Sequence, residues 1–512
     1  MSLRRTTASV SLNDLFPHHR PSMGRDLRIT SCTSDPRRCR EGALYVAVQT
    51  ADDDGHDHVA QALRRGAVAV VAERRLPIEA PVLVVPDTRE AYGWVCHHLA
   101  DRPSQHLQTI GVTGTNGKTT VSLLIESILK AAGERTGVLC DLSWEPGVKR
   151  PVSGDAVPSA ALLAQSLSRI HRSGRSHAVV ETSSRMLAER HTAGLELDAA
   201  VLTNVRRDHL DWHGSVSNYH RAKARLFAHL KPRGFLVANA DDPASRHLMR
   251  RVSHPVLTFG MRMPAELTAT LVDRCAGEQT FLLTAGDQTV AVQTTMFGDH
   301  HIYNCLAAAG AGLMMGIDLT TVARGLEALT WLPGRMQSIC CGQPFGVYVD
   351  DARTPDALAV TLKALRNVTA GRVICVFGAD GAADPMNRPL MGRVVERAAH
   401  LGIITNDNPR DQSPLQIAHD IIDGYERPAR SHILPDRAEA IRWALAEAER
   451  GDAVLIAGKG DRQYQIVGRQ RLAFDDRDVA RQWLEDVGAK IEYETPAPAT
   501  ILRFPAKVPA LN

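Results

Sequence analysis

Short apolar runs alternate along this chain with stretches whose apolar residues fall at helical spacing. Gly42–Ala47, Val68–Val71 and Val82–Val85 predict strands, and Val59–Ala67 predicts a helix closed by Gly66. Thr109–Val112 predicts a buried strand, and Val121–Lys130 has helical periodicity. His177–Val180 predicts a strand that ends on the carboxylate of Glu181. Ala199–Asn204 and Leu236–Asp242 predict further strands, with a helix over Tyr219–Phe227 between them. Val373–Gly378, Gly402–Thr405 and Ala453–Ala457 continue the series, with a helix over Arg437–Leu445. Strands alternating with helices predict an α/β protein whose mostly parallel sheets are covered on both faces.

A length of 512 residues suits three domains. We expect a small N-terminal α/β domain over 1–108, a central domain over 109–332 and a C-terminal Rossmann-like α/β domain over 333–495. A linker is expected around Arg102–Ser104, and the Pro- and Ala-rich tail from 496 to 512 is expected to be disordered.

The stretch that organises the chain is Thr113-Gly114-Thr115-Asn116-Gly117-Lys118-Thr119-Thr120. It lies between a predicted strand and a predicted helix, where backbone N–H groups at a helix N-terminus can cradle phosphates. Lys118 would reach the β- and γ-phosphates, and Thr119 would hold Mg²⁺. Its early glycines, Gly111 and Gly114, do not fit the general phosphate-loop spacing. The stretch fits a narrower form, Gly-Thr-Asn-Gly-Lys-Thr-Thr, which resembles Mur ligases and folylpolyglutamate synthases.

Net charge is +3, which gives no polyanion-binding signature, so no nucleic-acid partner is expected. Arg4, Arg5, Arg20 and Arg25 read as solvated surface. The nine cysteines form no CxxC pair or regular framework, as expected of free thiols in a reducing compartment. The N-terminus lacks a signal-peptide core, and no apolar run is long enough to span a membrane. The expectation is a soluble, cytoplasmic monomer with small-molecule substrates.

Nearly the whole chain resembles the Mur ligase family, and within it the MurE branch. The first domain contributes Asp54-Gly55-His56. The second contributes Thr203-Asn204, Asp208-His209-Leu210-Asp211, the Tyr219–Phe227 segment and Asn239-Ala240-Asp241-Asp242. The third contributes Leu332–Met336, Thr354–Leu358, Asp407-Asn408-Pro409-Arg410, Asp436–Ala440 and Gly458-Lys459-Gly460. The resemblance implies a UDP-sugar-binding first domain, an ATP-binding catalytic second domain and an amino-acid-binding third domain. It implies ATP-dependent addition of the third stem-peptide amino acid to UDP-N-acetylmuramoyl-L-alanyl-D-glutamate through an acyl phosphate. That step belongs to peptidoglycan synthesis, and through it to cell shape and division. The amino acid is usually meso-diaminopimelate, or lysine in some lineages. A complete first domain and Asp-Asn-Pro-Arg speak against a folylpolyglutamate synthase.

The same resemblance assigns roles. The nucleotide falls to Gly114, Thr115, Asn116, Gly117, Lys118, Thr119 and Thr120, with Asn304, Arg335 and Asp350. Arg335 would bring a guanidinium to the phosphates. Mg²⁺ falls to Thr119, Glu181 and His209. Lys223 joins them if carbamylated, because carbamylation turns an ammonium into a carboxylate-like ligand. Taken alone, Lys223 would be an ordinary surface lysine; Ala-Lys-x-x-Leu-Phe after Asp-His-Leu-Asp makes it functional. Lys118, Lys223 and His209 are the catalytic set. Ser183, Arg190, Asp407, Asn408, Arg410 and Gly458 fall on the substrate side.

The departures from the family pattern cluster. Glu-Asp-Pro after Asp-Asn-Pro-Arg is Gln412-Ser413-Pro414, and Gly-Lys-Gly-His-Glu is Gly458-Lys459-Gly460-Asp461-Arg462. Arg462 reverses a charge that would pair with the distal ammonium of diaminopimelate, and juxtaposed like charges cost several kcal/mol. Tyr-Ala-His-Thr-Pro is Asp351-Ala352-Arg353-Thr354-Pro355, and Gly-Gly-Asp-Arg-Asp is Asp380-Gly381-Ala382-Ala383-Asp384. On the sugar side, Asp35-Pro36-Arg37, Arg185 and His191 depart as well. Three readings stay open. They are a MurE ligase with a rebuilt amino-acid site, a paralogue with another amine or acceptor, and a weakly active or non-catalytic cell-wall scaffold.

Overall fold

The computed structural model describes residues 9–16, 27–50, 53–142 and 157–488. The tail expected from 496 onward, and Arg4, Arg5, Arg20 and Arg25, lie outside the described residues.

Three main sheets follow one another along the chain. The first has four parallel strands, Ser31–Thr33, Ala43–Val46, Ala67–Ala72 and Val82–Val84. The helix expected to reach Ala67 stops at Arg64, because Gly66 turns the chain at φ +101° into the next strand. The segment expected as a linker is ordered: Arg102 takes φ +44° and leads into a 3₁₀ turn over Pro103–Gln105, with Ser104 buried.

The central sheet has nine strands. From one edge they run Thr136–Leu139, His177–Glu181, Gln108–Thr113, Leu197–Leu202, Leu230–Asn239, Val256–Gly260 and Leu267–Cys275, all parallel. Glu278–Ala285 and Gln288–Thr294 then extend the sheet as an antiparallel meander. The inner parallel strands are apolar and buried on both faces, as covered parallel strands must be. Their carboxyl ends share one edge, where loops carry the polar residues.

One expected helix differs. Tyr219–Phe227 is not a single helix: the α-helix Val216–Ala224 tightens into a 3₁₀ turn over Arg225–His229. The turn leads straight into the strand Leu230–Asn239, and a tighter last turn suits a chain that must leave its helix there.

The third sheet has six strands, ordered Gln337–Ser338, Gly346–Asp350, Ala453–Ala457, Val373–Phe377, Leu401–Ile404 and Ser431–Ile433. All pairs but the first are parallel. One fully buried ion pair ties its helices to its strands. Arg437 donates to both carboxylate oxygens of Asp476 at 2.7 Å and to the Ala457 carbonyl at 2.9 Å. Both side chains are wholly buried, so each charge relies on the other.

The chain enters this last sheet over Gly334, whose φ is +61°. A Cβ there would lie 2.1 Å from the Asp461 nitrogen, so only glycine permits the crossing. No disulfide links any of the nine cysteines. Among the described residues, no helix is long and apolar enough to cross a membrane.

Asp476→Ala should leave the Arg437 cation buried without this counter-charge and destabilise the protein by about 3–5 kcal/mol. A denaturant titration followed by circular dichroism checks this; an unchanged midpoint would contradict it.

Candidate active site

The Gly114–Gly117 loop follows the strand Gln108–Thr113 and opens the helix Lys118–Ala131. Gly117 caps that helix at φ +82° with no side-chain cap, so the first helical N–H groups face outward. A Cβ on Gly117 would lie 2.2 Å from Asn304 Oδ1. The next strand end holds the loop in place. Thr115 N–H donates to the Asn204 carbonyl at 2.9 Å, and Asn116 N–H donates to Asn204 Oδ1 at 3.0 Å. Thr203 Oγ1 and Asn204 Nδ2 both donate to the Asn116 carbonyl, at 2.7 and 3.1 Å. Thr115 Oγ1 and the Tyr219 hydroxyl lie 2.9 Å apart.

Lys118 folds back and donates to the Thr115 carbonyl at 2.9 Å. Thr119 Oγ1 donates to Glu181 Oε2 at 2.8 Å, and Asp141 N–H reaches the same oxygen at 3.0 Å. Burial, and then the neighbouring Asp141, push the Glu181 carboxyl up to about 7.

Lys223 lies under the loop and not on the cleft wall. It is 1% exposed, donates to the Gly114 carbonyl at 2.6 Å and sits 4.5 Å from the Tyr219 ring centroid. Burial, and then the Lys118 charge, hold its ammonium well below the usual lysine range. His209 takes a left-handed conformation (φ +50°), and its ring lies 3.4 Å from Asp208 on the cleft wall.

The cleft itself encloses about 410 Å³ between the central and C-terminal sheets. Asn116 through Thr120, Glu181, His209, Asn304, Arg335 and Asp350 line it. Asn116 Nδ2 donates to Asp356 Oδ2 at 2.7 Å, which ties the loop to the C-terminal helix Pro355–Arg366. Arg335 pairs with Asp351. Asp350 accepts the Met336 and Ala352 N–H groups at 2.7 and 3.0 Å, so it organises the entry of the chain into its last sheet. On the central side, Asp241 gathers three backbone N–H groups, from Met261, Arg262 and Met263, and the Tyr303 hydroxyl.

The remaining predicted residues stand apart from this lining. Ser183 caps the short helix Ser184–Ala188 by accepting the Met186 N–H at 3.1 Å. Arg190 reaches back toward the first sheet, with Asp87 at 3.2 Å and Glu90 at 3.7 Å. Asp407, Asn408 and Arg410 belong to a separate network, while the Gly458 N–H donates to the Asp350 carbonyl at 3.0 Å. Buried Lys459 lies 3.1 Å from Asp407 and donates to Asn408 Oδ1 at 3.0 Å. Arg410 makes a two-pronged contact with Asp380, at 2.7 and 3.3 Å. Asp380 also accepts from Asn408 at 3.1 Å and from the Ala382 N–H at 2.8 Å.

Family profiles match this architecture. The Mur ligase middle domain covers residues 112–312, and the Mur ligase glutamate ligase domain covers 334–460. A UDP-N-acetylmuramoyl-L-alanyl-D-glutamate--2,6-diaminopimelate ligase of Geobacillus kaustophilus is 38% identical over 493 residues, 95% of this chain and 100% of the relative. The chain belongs to the Mur ligase family. As a Mur ligase it is an ATP-dependent ligase. The relative of the same name from Solibacter usitatus is 37% identical over 465 residues, 90% of this chain and 94% of its own length. A solved structure of a ligase of that name aligns with a TM-score of 0.69 at 30% identity, over 94% of this chain and 100% of its own. A MurF ligase of Thermotoga maritima shares the fold at 20% identity, with a TM-score of 0.58 over 90% of this chain and 97% of its own.

Several residues of this Mur ligase site carry little signal in the sequence. Asp141 ends no motif, and Asp356 matches only as part of Thr354–Leu358. Asp351 and Asp380 stand out only as departures, and their pairing with Arg335 and Arg410 needs the fold. With burial and Asp141 pushing the Glu181 carboxyl up to about 7, it must lose a proton before it can bind a cation. A divalent cation held by the Thr119–Glu181 oxygens should therefore bind more weakly as pH drops below about 7, by up to about tenfold per unit. Glu181→Gln should flatten that slope. Mg²⁺ titrations between about pH 6 and 8 check this; a slope unchanged by the substitution would contradict it.

Proposed function

We propose that this ligase joins 2,6-diaminopimelate to UDP-N-acetylmuramoyl-L-alanyl-D-glutamate, the reaction that gives its full-length relative its name. The observation that carries the reading is the cleft. It sets an anion-ready helix terminus, Lys118 and a Thr119–Glu181 oxygen pair against Arg335 and Asp350 of the C-terminal half, the half that also carries Asp407, Asn408 and Arg410 apart from the lining. Such a pairing suits a reaction in which one half activates a carboxylate and the other delivers an amine. The domains are taken as 1–108, 109–332 and 333–495, and the succession of the three sheets supports that division.

The donor set fits Mg²⁺. Thr119 Oγ1 and the Glu181 carboxylate are hard oxygen ligands, and phosphate oxygens would complete the shell. Thr119 and Glu181 would hold the ion, with His209 facing the same cleft. Bound Mg²⁺ would offset the charge that keeps the substrate carboxylate from the γ-phosphate. Lys118 and Arg335 serve the same end from the protein side.

Lys223 fits carbamylation. Its low affinity for protons favours the free amine, the form that reacts with CO₂. A carbamate keeps one N–H, which can go on donating to the Gly114 carbonyl. Its negative charge would then face Lys118. The work is expected in the cytoplasm, by a monomer.

One observation favours a second reading, a ligase for another amine. Asp380 already fills the guanidinium fork of Arg410. Arg462 adds a cation to the loop of Lys459, where its N–H bonds the Lys459 carbonyl. The two readings part in one assay. Phosphate release from ATP is measured with UDP-N-acetylmuramoyl-L-alanyl-D-glutamate and a panel of amino acids. Release with diaminopimelate is the expected result. Release with another amino acid alone would favour the second reading, and release with none would contradict both. In the same assay Lys223→Ala should lose nearly all turnover, and a short carboxylic acid should restore part of it. Full activity without the lysine would remove its role.

A further inference from the structure

Arg353 stands out in the sequence only as a departure, and no role described above uses it. It lies in the turn between the strand Gly346–Asp350 and the helix Pro355–Arg366. Its side chain is 38% exposed and lines the cleft together with Lys118, His209 and Arg335. Its nearest counter-charge is Asp351 at 3.9 Å, beyond hydrogen-bond reach. That carboxylate is already engaged by Arg335. One carboxylate thus faces two guanidiniums, and Arg353 is the one held loosely.

Its surroundings locate it further. The charges that act on Arg353 after Asp351 include Asp141, beside the phosphate loop, and Asp407, at the edge of the C-terminal sheet. Arg353 in turn acts on His209. The guanidinium therefore sits at the seam where the activating and amine-delivering halves meet. Lys118 belongs to the loop, and of the two guanidiniums that the C-terminal half brings to the cleft Arg335 is paired, which leaves Arg353 the less committed of the two.

We propose that Arg353 is a catalytic residue that binds the phosphoryl group during transfer. The proposal rests on the ligase reading above. In the first step a substrate carboxylate oxygen attacks the γ-phosphorus. A new O–P bond forms, the bond to the β,γ-bridging oxygen breaks, and ADP leaves with that electron pair. In the second step the amine nitrogen attacks the acyl carbon. The C–O bond to phosphate breaks, and phosphate departs with the electron pair while the amine proton passes to it. The peripheral phosphoryl oxygens carry negative charge through both steps. A planar guanidinium with a fixed fork of donors can follow them. Supplying it from the far wall of the cleft would make phosphoryl transfer depend on the two walls standing together.

The test uses the full-length protein with Arg353→Ala, Arg353→Gln and Arg353→Lys. Calorimetry measures binding of ADP and of the β,γ-methylene analogue of ATP, each with Mg²⁺. The analogue should bind about tenfold more weakly to the Ala and Gln variants, while ADP affinity stays within about twofold. Arg353→Lys should recover part of the difference. Ligation kcat should fall about a hundredfold in the Ala variant with the amino-acid KM unchanged. Equal losses for ADP and the analogue would mean a structural role and overturn the proposal. A rise confined to the amino-acid KM would assign Arg353 to the amine substrate's carboxylate and overturn it too. If the wild-type protein ligates no amine, yet prefers the analogue over ADP only when Arg353 is present, the ligase reading falls and the phosphoryl contact stands.

Discussion

A loop proposed to bind phosphate must reserve the N–H groups that open its helix, and this constraint shapes the central sheet and its surroundings. Each buried donor without a partner costs about 1–3 kcal/mol, so the loop cannot be stabilised by the bonds it must reserve. Here it is held by its carbonyls, by the Thr115 and Asn116 N–H groups, which bond Asn204, and by its neighbours. Thr203 and Asn204 grip the Asn116 carbonyl, Lys223 grips the Gly114 carbonyl, and Asn304 packs where Gly117 lacks a Cβ. The parallel sheet makes this possible because its strand ends deliver Glu181, Thr203 and Asn239 to the same edge.

The second constraint is charge. Bringing a carboxylate to a triphosphate requires cations, and cations in a half-buried cleft require counter-charges. This protein answers with alternation across the seam. Lys118 and Glu181 lie on the central side, and Arg335, Asp351 and Arg353 lie on the C-terminal side. The Asn116–Asp356 hydrogen bond joins the two sides at the loop itself. A nucleotide bound at the loop, as proposed, would lie against both walls of the cleft.

Much of this is legible in the sequence. The strand–loop–helix unit around Gly114–Thr120 follows from local periodicity and glycine placement, and so does the alternation that makes both large sheets mostly parallel. The antiparallel meander from Leu267 to Thr294 is not anticipated, because its alternating polar face gives a weak local signal. The depth of Lys223 is hidden as well. A lysine at helical spacing reads as surface, and only tertiary packing under Gly114 reverses that. Asp380 and Asp351 read as lost family residues, yet the fold turns each into the partner of an arginine from another segment. Such pairings join residues 16 to 30 positions apart, beyond any helix or strand period.

The proposed function requires that the carboxylate be activated as an acyl phosphate before the amine is joined. Positional isotope exchange tests it most directly. ATP carrying heavy oxygen in the β,γ-bridge is incubated with the enzyme, Mg²⁺ and UDP-N-acetylmuramoyl-L-alanyl-D-glutamate, without any amino acid. The label should scramble into the β-nonbridging positions, and it should not scramble when the acceptor is omitted. Active ligation in the complete mixture with no scrambling in the partial one would contradict that requirement.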